Sequence, residues 1–203
     1  MLGVPLQRVL VDADVLFSRT LRDWILKSSH PIQLASPFEV FWTEDILAET
    51  IARIRDKRPD LPSGALETFT DRFREVWPNN RIQNFEAARS SFLGSDEDDL
   101  HVHSAAVAGT VDIVVTNDRY GLIAPDIDEA STDALPYEVH SADEFLCSLH
   151  QQAPQVVAQV AKSETLYWFD RNGEANICFS LKGAGAPDFA ERVRLVSLRL
   201  SLP

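Results

Sequence analysis

The stretch Val9–Phe17, VLVDADVLF, runs from three apolar residues into Asp12 and Asp14 and back to Val15, Leu16 and Phe17. A short apolar run ending in an acid reads as a buried strand over Arg8–Val11. Ionised carboxylates beside a buried strand are costly unless a cation meets them, so Asp12 and Asp14 need a reason to be there. Val15–Leu26 then mixes Leu16, Arg19, Thr20 and Asp23 at helical spacing, which makes the opening a strand followed by a helix.

The same alternation continues outward. Phe38–Trp42 reads as a short strand, and Thr43 as the N-cap of a helix to Lys57 with Ile46, Leu47, Ile51 and Ile54 as its apolar stripe. A second amphipathic helix spans Ser63–Trp77. Ser95 and Asp98 form a capping-box variant ahead of a small-residue helix that ends at Gly109. Val111–Thr116 and Tyr137–His140 read as further strands, with Ser141 capping a helix through Leu149. Strands separated by helices predict a mostly parallel sheet covered on both faces, a three-layer α/β/α sandwich with its sites at the carboxyl ends of the strands. After Gln155 the pattern predicts helical pieces over Gln155–Lys162, Asn176–Lys182 and Pro187–Val196. A β-hairpin turning at Asn172-Gly173 competes there, flanked by Leu166–Phe169 and Ile177–Phe179. The organisation expected is an α/β domain over residues 1–150 and a mainly helical C-terminal extension over 151–203.

Composition removes several function classes. Of 203 residues, 45% are hydrophobic and 25% charged, ordinary values for a chain with a packed core. No apolar run exceeds four residues, against roughly 20 for a membrane span. Arg8 is the only charged residue before Asp12 interrupts the hydrophobic stretch, which leaves no room for the apolar region of about 7–15 residues in a secretory signal, so a cytoplasmic location is expected. Cys147 and Cys178 lack the spacing of a zinc site or a disulfide framework and read as buried thiols. The net charge of −12 is unevenly spread: Ser90–Glu144 holds thirteen acids and one base, whereas Arg53–Arg89 holds eight bases and six acids. So acidic a chain is a poor non-specific nucleic-acid binder, and contact with a phosphodiester calls for a local basic face or a cation.

Four acids stand at matching places in the alternation. Asp12 follows the first strand, Asp118 the third, Asp99 lies in the first turns of a helix, and Glu49 sits about 60° from Ile46 around the Thr43 helix. Two unit charges about 4 Å apart repel by about 4 kcal/mol at an effective dielectric near 20, so a cluster of four needs a counter-charge. Hard oxygen donors without a cysteine or histidine set favour Mg²⁺ or Mn²⁺ over zinc. Each acid also has a plainer role: Asp12, Asp14 and Asn117-Asp118 as turn formers, Glu49 as the i, i+4 partner of Arg53, and Asp96 to Asp98 as favourable charges at a helix N-terminus. His101 and His103 point about 200° apart on a helix and are read as non-ligands.

VLVDADVLFS, TEDILAETIARI, DDLHVHSAAVAGTVDIVVTND and VHSADEFL, in this order over Arg8–Leu149, resemble the successive signatures of PIN-domain nucleases, close to the VapC-like toxins of bacterial toxin–antitoxin pairs. The resemblance implies the α/β/α sandwich and an endoribonuclease with Asp12, Glu49, Asp99 and Asp118 as catalytic acids. Of these, Asp12, Asp99 and Asp118 are implied as ligands of Mg²⁺ or Mn²⁺. Thr116 matches the family's hydroxyl residue two before the fourth acid. Asp14 stands where the family has asparagine and adds a negative charge. Asp96 and Asp98 compete for the third place, and Asp99 is preferred because it keeps Ala106 in register. The implied partners are an RNA substrate, reached along Arg19, Arg22, Arg53, Arg55, Lys57 and Arg58, an antitoxin protein, a second copy of the chain, and no membrane.

Two rivals share these residues. An apolar strand ending in Asp-x-Asp is also the nucleophile and acid pair of haloacid-dehalogenase-type phosphohydrolases, with Asp12 forming an aspartyl-phosphate. Val15 replaces the glycine common after that pair, and the four lysines fall in no obvious motif. The other rival is a binding subunit that keeps the fold without turnover.

Overall fold

The computed structural model describes residues 5–200. In chain order the elements are β1 (Gln7–Val11), α1 (Ala13–Leu16), α2 (Arg19–Ser28), β2 (Phe38–Phe41), α3 (Glu44–Lys57), α4 (Ser63–Val76), α5 (Leu100–Ala108), β3 (Ile113–Val115), α6 (Arg119–Leu122), α7 (Glu129–Asp133), β4 (Glu138–His140), α8 (Ala142–Gln152), α9 (Pro154–Asn172), α10 (Ile177–Gly183) and α11 (Pro187–Leu200). The strands form one all-parallel sheet in the order β2-β1-β3-β4, with Val9 opposite Ile113, Val11 opposite Val115, and Val115 opposite His140. Consecutive residues Val9, Leu10 and Val11 are all buried, which requires cover on both faces of the sheet. The architecture is the expected α/β class: a parallel sheet flanked by helices, as in a three-layer sandwich, with further helices at the C-terminal end. The chain passes from β1 to β2 on one side and reaches β3 on the other, so the carboxyl ends of β1 and β3 meet at the sheet's topological switch point.

Contacts group the described residues into two compact units, 7–17 with 39–141, and 5–6 and 18–38 with 142–200. The first holds β1, β3, β4, all but the first residue of β2, and helices α1 and α3–α7. Trp42 anchors α4 there, its Nε1 donating to the Trp77 carbonyl at 2.9 Å and its ring meeting Phe73 edge-on at 6.2 Å. The second unit packs α2 with α8–α11. In it Trp24 meets Phe189 edge-on at 5.0 Å, and Asp143 caps α11 by accepting from the Phe189 and Asp188 amides at 2.8 and 3.1 Å. Lys27 pairs with buried Glu164, which also accepts from Trp168 Nε1 at 3.3 Å.

Three local expectations are corrected. The helix expected over Val15–Leu26 is two helices, because Asp12 caps a start at Ala13 and Ser18 caps a second start, its Oγ accepting from the Leu21 amide at 3.5 Å. Ser95 caps nothing; its hydroxyl donates to the Tyr120 carbonyl, and Asp96 instead accepts from the Asp98 amide at 3.0 Å to open a 3₁₀ turn over Glu97–Asp99. The hairpin is excluded, since Leu166–Phe169 lie inside α9, and Gly173, at φ 78°, stops that helix in the left-handed conformation glycine adopts most easily. No helix among the described residues is long and apolar enough to cross a membrane.

Candidate active site

Asp12 continues the β1 ladder by donating its amide to the Val115 carbonyl at 3.0 Å, and its side chain turns back at the strand end. Oδ1 accepts from the Ala13 amide at 2.6 Å and Oδ2 from the Thr116 hydroxyl at 3.0 Å, in surroundings that leave Asp12 only 6% exposed. The same Thr116 Oγ1 accepts from the Asp118 amide at 3.0 Å. One hydroxyl thereby ties the carboxyl end of β1 to the loop after β3.

The other acids reach the same place from separate elements. Asp118 caps α6, its Oδ1 accepting from the Gly121 amide at 3.2 Å. Asp99 leads into α5 and lies so close to Gly121 that a Cβ there would stand 1.7 Å from Asp99 Oδ2. Glu49 on α3 takes Arg53 through Nε at 2.9 Å and Nη2 at 2.7 Å, the i, i+4 pairing open to it from the sequence. Its other oxygen faces His101 Nε2 at 3.6 Å.

Charge shows that these groups converge. Burial pushes the Asp12 carboxyl up to about 6, with Asp14 and Glu49 adding to the effect and the Thr116 and Ala13 hydrogen bonds opposing it. Asp99 is also pushed up to about 6, first by burial and then by Asp12, Asp96, Asp118 and Glu49. Asp99 therefore senses Asp12 and Asp118 together, whereas Asp96 is engaged as a cap and Asp98 belongs to a neighbouring cavity. Arg53 is the cation whose field reaches Asp12 and Asp14.

Asp14 has a part that sequence reasoning missed. Its Oδ2 accepts from the Asn117 and Asp118 amides at 2.8 and 3.1 Å, clasping the β3 loop, while its Oδ1 is buried without a hydrogen-bond partner. An acid three residues past a strand gives no hint of that clasp. His101 is the second residue undervalued by the sequence, because helical angle alone does not reveal its approach to Glu49. His103, by contrast, is fully buried between the Tyr137 hydroxyl at 2.7 Å and Ser91 Oγ at 3.0 Å, as a core histidine should be.

Carboxylate oxygens, a buried acceptor without a donor, and acids whose proton affinity is raised first by burial and then by neighbouring carboxylates together suit a hard divalent ion. Among the described residues, no group of three or more His, Cys, Asp or Glu side chains is arranged to hold a metal ion, so binding one requires these side chains to draw closer. Of the bases expected to guide RNA, Arg53 is paired with Glu49, Arg58 with Asp60, and Lys57 lies 4.7 Å from the centre of the Phe17 ring. Arg19 and Arg22 belong to α2, in the other unit. No family model matches the chain, and neither a curated protein nor a solved structure matches it.

Proposed function

We propose that the chain is a Mg²⁺- or Mn²⁺-dependent endoribonuclease in which Asp12, Asp99 and Asp118 hold the ion and Glu49 orients the ion or the attacking water. The observation that carries this reading is that Asp12, Asp99 and Asp118 meet at the ends of β1 and β3: Thr116 Oγ1 donates to Asp12 and accepts from the Asp118 amide, and Asp99 lies against Gly121, whose amide Asp118 accepts. Asp12, Asp99 and Asp118 would hold a divalent ion, which would supply positive charge and an acidified water for phosphodiester hydrolysis. Thr116 and the Ala13 amide fix the Asp12 oxygens at the end of β1, and Arg53 holds Glu49 on α3. On α3 itself, Arg55 and Lys57 offset the acidic surroundings for an approaching phosphate backbone. RNA as the substrate, and products that carry a 5′-phosphate and a 3′-hydroxyl, both rest on the resemblance to PIN-domain nucleases.

The test is cleavage of labelled RNA by the purified chain. Cleavage is expected with Mg²⁺ or Mn²⁺, to stop with chelator, and to fall at least about a hundredfold in Asp12→Asn. Equal cleavage by Asp12→Asn sinks the assignment, and absence of divalent-metal binding by calorimetry favours the silent subunit instead. As an extension of this reading, we place the chain as the toxin of a pair whose partner protein fills the acidic site with basic side chains. Induction without growth arrest, together with no tight partner on co-expression with the neighbouring reading frames, removes that role.

A further inference from the structure

A cavity of about 330 Å³ opens beside the acids, lined among others by Phe85, Glu97, Asp98, His101 and Ser104. It touches the site through His101, whose Nε2 faces Glu49 at 3.6 Å without a hydrogen bond while its Nδ1 is bonded to the Asp98 carbonyl at 2.6 Å, so the ring is held through Nδ1. A carbonyl accepts only, so Nδ1 carries a hydrogen and the ring cannot turn without losing that bond. Ser104 is fully engaged, accepting from the Ala88 amide at 3.0 Å and donating to the Leu100 carbonyl at 2.6 Å, and it offers an entering ligand little. The cavity thus presents two flat rings, Phe85 and His101, and two carboxylates, Glu97 and Asp98, with no lysine or arginine among its lining residues. Arg89 pairs with Glu97 from outside that lining, leaving the exposed Asp98 carboxylate as the stronger free acceptor.

Such a wall rejects a phosphate and welcomes a flat group with adjacent hydrogen-bond donors. Among the RNA bases only guanine presents two neighbouring donors, N1–H and N2–H₂, which match one carboxylate in a two-point contact. Adenine, cytosine and uracil each set a ring or carbonyl acceptor beside their one donor and turn that acceptor toward the same negative oxygens. Single-stranded bases are recognised in this way, splayed from the chain, stacked on an aromatic ring and read on their Watson–Crick edge. We propose that this cavity is a guanine subsite: an unpaired guanine seats against Phe85 and His101, is read by Asp98, and sets the position of the scissile phosphate relative to the acids. This rests on the nuclease reading above.

The full chain is incubated with a random-sequence RNA pool and Mn²⁺, and the product ends are sequenced. Guanine is expected to be enriched about tenfold or more at one fixed position from the cut, within the range of a good two-point base contact. Asp98→Asn and Phe85→Ala are each expected to bring that ratio below about threefold; being a ratio within one sample, it does not depend on the variant's total activity. Cleavage without base preference, or a preference unchanged in both variants, overturns the subsite while leaving the nuclease reading intact. If no RNA is cut, the nuclease reading fails, and the subsite is decided by titrating guanosine 5′-monophosphate while following the Phe85 and His101 ring resonances. Shifts that are absent with uridine 5′-monophosphate uphold it, and unmoved rings overturn it.

Discussion

Gly121 shows how one missing methyl shapes the acid cluster. Its amide is held by Asp118 and its Cα lies against Asp99, so any side chain there must push the Asp99 carboxylate aside. The atom met is the end of a side chain and not backbone, so Gly121→Ala is expected to cost at most about 1–2 kcal/mol of stability, yet to abolish metal-dependent cleavage. Urea unfolding read alongside RNA cleavage checks this, and an alanine variant with full activity refutes it. Thr116 is the complementary case, since its hydroxyl donates to Asp12 and accepts from the Asp118 amide, with the residue 1% exposed. Thr116→Val leaves the buried Asp12 Oδ2 without its hydroxyl donor, while the Asp118 amide keeps Asp14 Oδ2, and is expected to destabilise by about 1–3 kcal/mol in the same unfolding assay, whereas Thr116→Ser should restore most of the loss. At this scale the sequence was informative where an acid ends a strand, because burial and charge conflict within a few residues. It was silent where the partner is an amide a hundred residues away, as with Asp14 and the Asn117 and Asp118 amides.

Between residues and the whole stand the elements, whose boundaries follow local capping chemistry. Thr43 was legible as an N-cap, and its Oγ1 accepts from the Ile46 amide at 3.0 Å as that reading requires. The break between α1 and α2 was not, because two capping residues, Asp12 and Ser18, fall inside one stretch of helical spacing and the pattern alone cannot choose between one helix and two. The long α9 was read as a short helix with a rival hairpin for a related reason. Asn172-Gly173 suits a tight turn and a helix stop equally, and what favours the helix is a tertiary pair, Glu164 with Lys27 of α2, which sequence spacing does not display. Glu164 is 4% exposed, so Lys27→Met strands a buried carboxylate beside Trp168 and is expected to cost about 3 kcal/mol by denaturant unfolding. The double change Lys27→Met with Glu164→Leu is expected to recover most of that. A single variant as stable as the parent shows the pair to be idle.

Across the whole molecule, a net charge of −12 and a knot of carboxyls at the switch point make stability a function of pH and of divalent ions together. In the unfolded chain Asp12 titrates near 3.8, and in the folded chain near 6. Between those values the folded state keeps a proton that the unfolded state has released, so stability from this group is greatest below the unfolded value and is lost as pH rises through the folded one. The loss is on the order of 2–3 kcal/mol for Asp12, and Asp99 shifts in the same direction. A divalent ion on the same oxygens competes with those protons, so its stabilisation must show the opposite trend. At a hundred times its dissociation constant, an ion adds about 2.7 kcal/mol, or about 5–10 °C in the midpoint of a chain this size. Melting followed by circular dichroism is therefore expected to show Mn²⁺ raising the midpoint at pH 7.5 and barely moving it at pH 5. Without the ion, Asp12→Asn should melt above the parent at pH 7.5, because it removes the uncompensated charge, and it should respond weakly to Mn²⁺. Equal upshifts by Mn²⁺ at both pH values, in parent and variant alike, mean that the ion binds elsewhere on the acidic surface and that the acids at the ends of β1 and β3 are not its ligands.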